Sequence, residues 1–138
     1  KSSDTHSDAN TQLQLLVCDD EKLQRQIIGK ALETLGHVVD LSEDGDQALA
    51  KMQSKQYSVV FMDINMPTMT GDEAVRQFRE WEMQHRPGCR MNICALTADK
   101  NSAGGDEARF YLEGFDGAIG KPARPVLLAE YIIQSQIR

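Results

Sequence analysis

Ser58-Val-Val-Phe-Met-Asp-Ile-Asn-Met-Pro67 is an apolar run that closes on one carboxylate, Asp63, and turns at once through Asn65 and Pro67. Val59, Val60, Phe61 and Met62 show no polar alternation, so the run suits a strand buried on both faces, as in the middle of a parallel sheet. Asp63 is thereby delivered to the sheet's edge. Open α/β sheets bind ligands in the crevice beyond the carboxyl ends of their strands, so a charge placed there is a site candidate. On this stretch alone, an ordinary aspartate opening a turn is the simpler reading.

Upstream, Leu13 to Cys18 is a first strand that ends in Asp19-Asp20-Glu21. From Lys22 to Leu35 the residues Leu23, Ile27, Ile28, Ala31, Leu32 and Leu35 recur at three and four, the period of an amphipathic helix, and Gly36 stops it. His37 to Leu41 is a second strand. Asp44-Gly45 opens a helix through Gln53, with Ala48, Leu49 and Met52 inward. Downstream of the opening stretch, Gly71-Asp72 begins a helix whose Ala74, Val75, Phe78 and Trp81 form one face. Pro87-Gly88 breaks the chain, and Met91 to Leu96 is a fourth strand ending at Thr97. Asp99 to Gly105, with its paired glycines, reads as a long loop before a short helix over 106–113. Gly117 to Gly120 is a brief fifth strand before Lys121-Pro122. The last helix runs from Pro125 to Gln136 with Val126, Leu127, Ala129, Tyr131, Ile132 and Ile133 as apolar content. Strand and helix alternate five times, which predicts a doubly wound parallel sheet with helices on both faces.

The chain has 138 residues, the length of one domain, with a polar leader or linker over 1–11 and the folded unit over 12–138. Its three cysteines are an odd number, Cys18 and Cys94 lie in apolar runs, and no CxxC or Cys/His cluster suggests zinc. A reducing, cytoplasmic setting is expected. The net charge of −6 argues against nucleic acid as a partner, because phosphate contacts need clustered Lys and Arg. Neither a membrane-spanning run nor a signal-peptide pattern is present.

In a doubly wound sheet the residues just after strands one, three, four and five meet on one rim. Here those are Asp19 and Asp20, Asp63, Thr97 and Lys121. Three carboxylates would repel one another unless a hard cation joined them, and Mg²⁺ takes one or two carboxylates together with waters and phosphate oxygens. The set therefore implies Mg²⁺ and a phosphoryl group. Transfer of that group needs an in-line nucleophile, which Asp63 supplies as a carboxylate, and fixed positive charge and donors around the equatorial oxygens. Mg²⁺, Lys121 and the Thr97 hydroxyl would take one oxygen each.

With these residues in view, the sequence resembles the receiver domain of two-component response regulators. The resemblance is carried by Val17-Cys18-Asp19-Asp20-Glu21, Phe61-Met62-Asp63-Ile64-Asn65-Met66-Pro67, Leu96-Thr97-Ala98 and Lys121-Pro122, and it covers residues 13–136. It implies a flavodoxin-like (βα)5 fold with strand order 2-1-3-4-5, and that order comes from the resemblance alone. It also implies that Asp63 accepts the phosphoryl group from a phosphohistidine. Asp20, Asp63 and the backbone carbonyl of Asn65 would bind Mg²⁺ directly, with Asp19 helping through water. Lys121 would pair with the phosphate across a cis bond to Pro122. The partner would be a histidine kinase or histidine phosphotransfer protein, docking on the first helix and the rim loops near Met66 and Met69. The start at Lys1 and the polar leader favour the receiver of a hybrid sensor kinase.

Two departures from the family pattern stand out. Receivers usually carry Tyr or Phe three residues before the lysine, and here that position is Ala118, so Thr97 lacks its usual aromatic relay. The Gly104-Gly105 loop lengthens the approach to the 106–113 helix, where many receivers dimerise. A monomer or weak dimer is expected, with phosphorylation acting through loop mobility or partner docking. Asn65 and Asp99, each two residues beyond a site residue, are expected to hold the water that attacks the acyl phosphate. Two other readings of the same residues stand beside this one. A phosphatase of the haloacid-dehalogenase kind needs a second Asp as general acid where this chain has Asn65. A pseudo-receiver, an interaction module that is never phosphorylated, is opposed by the complete acidic, Thr and Lys set but favoured by Ala118.

Overall fold

The computed structural model describes residues 11–98 and 114–137. The elements, in order, are β1 (Gln14–Cys18), α1 (Lys22–Thr34), β2 (Val38–Ser42), α2 (Gly45–Ser54), β3 (Val59–Asp63), α3 (Gly71–His85), β4 (Ile93–Thr97), β5 (Gly117–Gly120) and α4 (Pro125–Gln136). All strand pairs are parallel and the sheet order is β2-β1-β3-β4-β5, the order the family resemblance implies. The expected loop over 99–105, with Gly104 and Gly105, and the helix over 106–113 lie outside the described residues, as does Asp99.

Strands β3 and β4 are buried at every position, which is why their sequences are continuously apolar. One side of the sheet carries Leu16, Val60, Met62 and Ala95 against Ala48, Met52, Val75 and Phe78 of α2 and α3. On the other, Leu15, Val17, Val59, Phe61 and Leu96 pack against Ile28, Leu32, Leu128 and Ile132 of α1 and α4. Each such large side chain contributes roughly 1.5–3 kcal/mol through its burial.

Two helical faces differ from the sequence reading. In α1 the buried residues are Ile28, Gly29 and Leu32, while Leu23 is 66% and Ile27 49% exposed and Leu35 is also exposed. A helix lying on a sheet buries only a narrow stripe, and the wide apolar run exceeds it. In α4 it is Leu128 and Ile132 that face the core; Val126, Leu127 and Ile133 are exposed. The strands also shift by up to two residues, so that Asp63 is the last residue of β3.

Candidate functional site

Asp19, Asp20 and Asp63 each offer a carboxylate oxygen, and these oxygens lie within 4.8 Å of one another. Three local devices bring them together. Asp19 follows β1 directly, its N–H donates to the Ser42 carbonyl of β2 at 3.1 Å, and its Oδ1 accepts the Glu21 N–H at 2.9 Å. Asp63 closes β3, and its Oδ1 accepts the Asn65 N–H at 3.2 Å. Lys121 is held by β5, with its N–H on the Thr97 carbonyl at 2.7 Å. The Lys121–Pro122 peptide is cis.

Lys121 reaches into the acidic group. Its ammonium is 3.0 Å from Asp63 Oδ2 and 3.5 Å from Asp19 Oδ2. Burial pushes the Asp63 carboxyl up to about 6; Lys121 and the Asn65 amide oppose this and the Asp19 charge adds to it. Burial likewise works against the Lys121 charge, but the Asp63 and Asp19 carboxylates outweigh it and hold the ammonium above its usual value. Thr97, the last residue of β4, is buried on the same rim. Asn65 and Asp20 are exposed. Ala118 pairs with Ala95 and packs against the α2 and α3 side of the core.

A divalent cation fits this set on its own chemistry. Asp19 is fully buried, and its Oδ2 makes no hydrogen bond and has only the Lys121 ammonium at 3.5 Å, which Asp63 holds more closely, so its charge is incompletely compensated. The Asp19, Asp20 and Asp63 oxygens lie close enough together for one small hard cation to be shared among them, directly or through water. The arrangement combines a nucleophilic carboxylate, a cation pocket and a fixed ammonium, which together suit phosphoryl transfer.

The loop after β3 carries features that its sequence did not signal. Gly71, at the opening of α3, backs onto Asp63: a Cβ there would collide with the carbonyl oxygen of Asp63. A Cβ at Gly45 would likewise collide with the carbonyl oxygen of Met69, so the start of α2 abuts this loop. Met66 is buried and belongs to the core, and Met69 is half-buried, because the loop folds back onto α2 and α3; Met66 therefore offers no surface to a partner. Thr68 has φ of 70°, and the Met69 N–H donates to the Pro67 carbonyl at 2.7 Å across it, closing a γ-turn. A β-branched residue is strained there. Thr68→Gly is expected to raise stability by about 0.5–1 kcal/mol in chemical denaturation, strain relief exceeding the entropy of the freer chain. A loss of stability would mean the turn is unstrained.

The sequence matches the family model described as the response regulator receiver domain over residues 15–133. Hybrid signal transduction histidine kinase I of Dictyostelium discoideum is 34% identical over 128 residues, which are 89% of this chain and 7% of that protein. This chain therefore corresponds to a small part of such relatives. Among solved structures, the chemotaxis protein CheY4 of Vibrio cholerae superposes with a TM-score of 0.77 at 29% identity, covering 91% of this chain and 99% of that one. The receiver domain of the sensor histidine kinase PA1611 from Pseudomonas aeruginosa, which has a magnesium ion coordinated in its active-site cleft, superposes with a TM-score of 0.75 at 26% identity, covering 90% and 97%. With the five-stranded order, the acidic rim and a family match spanning most of its length, the chain belongs to the response regulator receiver domains of two-component signalling.

Proposed function

We propose that Asp63 is the phosphoacceptor of this receiver and takes its phosphoryl group from a phosphohistidine of a histidine kinase or histidine phosphotransfer protein. The observation that carries the reading is the buried Asp63 carboxylate, 3.0 Å from the Lys121 ammonium and grouped with Asp19 and Asp20. One Asp63 oxygen forms a bond to phosphorus as the phosphorus–nitrogen bond of the phosphohistidine breaks. The electron pair leaves on the imidazole, which takes up a proton, and the product is an acyl phosphate. Asp20, Asp63 and the Asn65 carbonyl would hold Mg²⁺, with Asp19 acting through water. When bound, Mg²⁺ supplies charge neutralisation at the phosphoryl oxygens. Lys121 and the Thr97 hydroxyl would hold the remaining oxygens, and Lys121 keeps its charge because the carboxylates favour the ammonium.

Residues 12–138 would form the domain and 1–11 its leader or linker. The docking face would be α1 with the rim loops. Leu23 and Ile27, four residues apart and exposed on α1, support that face, whereas the buried Met66 takes no part in it. Among the described residues no helix is long and apolar enough to cross a membrane. Ala118 would leave Thr97 without a rotating aromatic partner, so the signal would pass through the loop after β4 or through docking.

The test is incubation with Mg²⁺ and a small phosphodonor, read by intact mass. A stable gain of one phosphoryl group that Asp63→Asn abolishes supports the receiver. Rapid turnover of many equivalents would support a phosphatase, and no change would support an unphosphorylated interaction module. We further propose that Asn65 and Asp99 orient the water that hydrolyses the acyl phosphate. Replacing either with Leu is then expected to lengthen the half-life of phosphorylated protein about tenfold, the scale of losing one oriented reactant. Unchanged half-lives in both variants would remove that role.

A further inference from the structure

Among the described residues, Arg25 lies beside the rim in a position that the phosphoryl chemistry does not use. Arg25, in the second turn of α1, is half-buried and donates from Nη1 to the backbone carbonyl of Asp19 at 2.8 Å. Among the described residues it makes no ion pair, and its charge is directed at the neutral backbone carbonyl of a residue in the acidic group. That carbonyl belongs to the peptide joining Asp19 to Asp20. Asp19 has its own anchors, its N–H on Ser42 and its Oδ1 on the Glu21 N–H. Asp20 is exposed, and Arg25 grips the carbonyl of the peptide that leads into it.

We propose that Arg25 is a positioning residue for the divalent-cation pocket, fixing the Asp19–Asp20 peptide so that both carboxylates face Asp63. The inference rests on the cation-binding reading of the acidic rim given above. Two effects of the guanidinium oppose each other. Its charge repels a cation, and its hydrogen bond orders the ligands. The repulsion is screened by water at a half-open rim. The hydrogen bond is charge-assisted and fixes a peptide plane, and partners that orient metal ligands typically affect affinity by tenfold or more. Ordering therefore wins.

The experiment is calorimetric titration of the whole protein with Mg²⁺, and with Mn²⁺ as a tighter probe, alongside phosphate uptake measured across a range of Mg²⁺ concentrations. Arg25→Ala is expected to bind about tenfold more weakly. Arg25→Lys, which keeps a cationic donor, is expected to recover most of that loss. In phosphate uptake the Mg²⁺ concentration at half-maximal rate should rise about tenfold in Arg25→Ala while the plateau rate stays at the parent's value, which general damage to the fold would not produce. Binding by Arg25→Ala within twofold of the parent, or tighter, overturns the proposal. So does a lowered plateau at unchanged half-saturation. Should Arg25→Ala unfold at the working temperature, Arg25→Lys carries the test, with binding two- to threefold weaker expected and parental binding overturning it. Asp20→Asn separates the two readings: if the parent and Asp20→Asn both fail to bind the cation, the reading of the rim fails before Arg25 is reached.

Discussion

Asp63→Asn is expected to take up no phosphate and, in chelator-treated buffer near neutral pH, to be more stable than the parent by about 1–2 kcal/mol. The loss of uptake follows from chemistry, since an amide cannot attack phosphorus to form the acyl phosphate. The gain in stability follows from burial. Desolvation is the dominant influence on Asp63, and with the Asp19 charge it exceeds what Lys121 and the Asn65 amide return, so the carboxyl sits at about 6. A carboxyl raised above its unfolded value keeps its proton longer in the native state. Stability from this group is therefore present below pH 4 and lost as pH rises from about 4 to about 6. Near neutrality the native state bears the whole cost of the charge, and the neutral amide removes it. The gain falls short of the full conversion of the shift because Asn cannot pair with the Lys121 ammonium. The advantage of the variant should fade toward pH 4, where the parent's carboxyl is protonated.

Cation binding should reverse the order. A parent saturated at about a hundredfold its dissociation constant gains roughly 2.7 kcal/mol, while the variant, lacking one ligand charge, gains less. Thermal unfolding with and without Mg²⁺, across pH 4 to 8, reads all of this. A variant less stable than the parent in metal-free buffer at neutral pH would show that Lys121 already compensates Asp63, contrary to the reading of a site poised for a cation.

The rim was legible in the sequence because strand ends are. Asp63, Thr97 and Lys121 each follow an apolar run, and a parallel sheet places the ends of β3, β4 and β5 along one edge. The strand order itself came from family resemblance, since alternation of strand and helix is compatible with several orders. Arg25 escaped notice because a helical arginine gives no sign of its target, and its target here is a backbone carbonyl six residues back. Gly71 and Gly45 were read only as helix openers, because the collision a Cβ would make is with atoms distant in the chain, or brought near by the loop's fold. The exposed Leu23 and Ile27 show the same limit in reverse, since periodicity marks every apolar position that shares a face without fixing how wide a stripe the sheet covers.

Arg79→Met is expected to cost about 3 kcal/mol. Arg79 is nearly buried on α3, at the end of the sheet opposite the acidic rim, and ties that helix to the turn before β5. Its Nη1 is 2.8 Å from Glu82, its Nη2 is 2.8 Å from Asp116, and its Nε donates to the Gly114 carbonyl at 2.9 Å. Both carboxylates have structural duties of their own: Glu82 accepts the Met91 N–H at 2.7 Å and Asp116 accepts the Ile93 N–H at 2.9 Å, so together they seat the start of β4. Met fills similar volume but leaves these carboxylates without their shared cation. Asp116 keeps Arg90, whose side chain is 56% exposed and is a weaker substitute, while Glu82 keeps the Met91 N–H but is left buried with no cation beside it among the described residues. Stranding a buried charge is what makes the removal of one partner expensive, more than the pair itself is worth. Denaturant unfolding near neutral pH measures the loss. A loss below about 1 kcal/mol would mean that this end of the sheet is held by packing and not by this arginine.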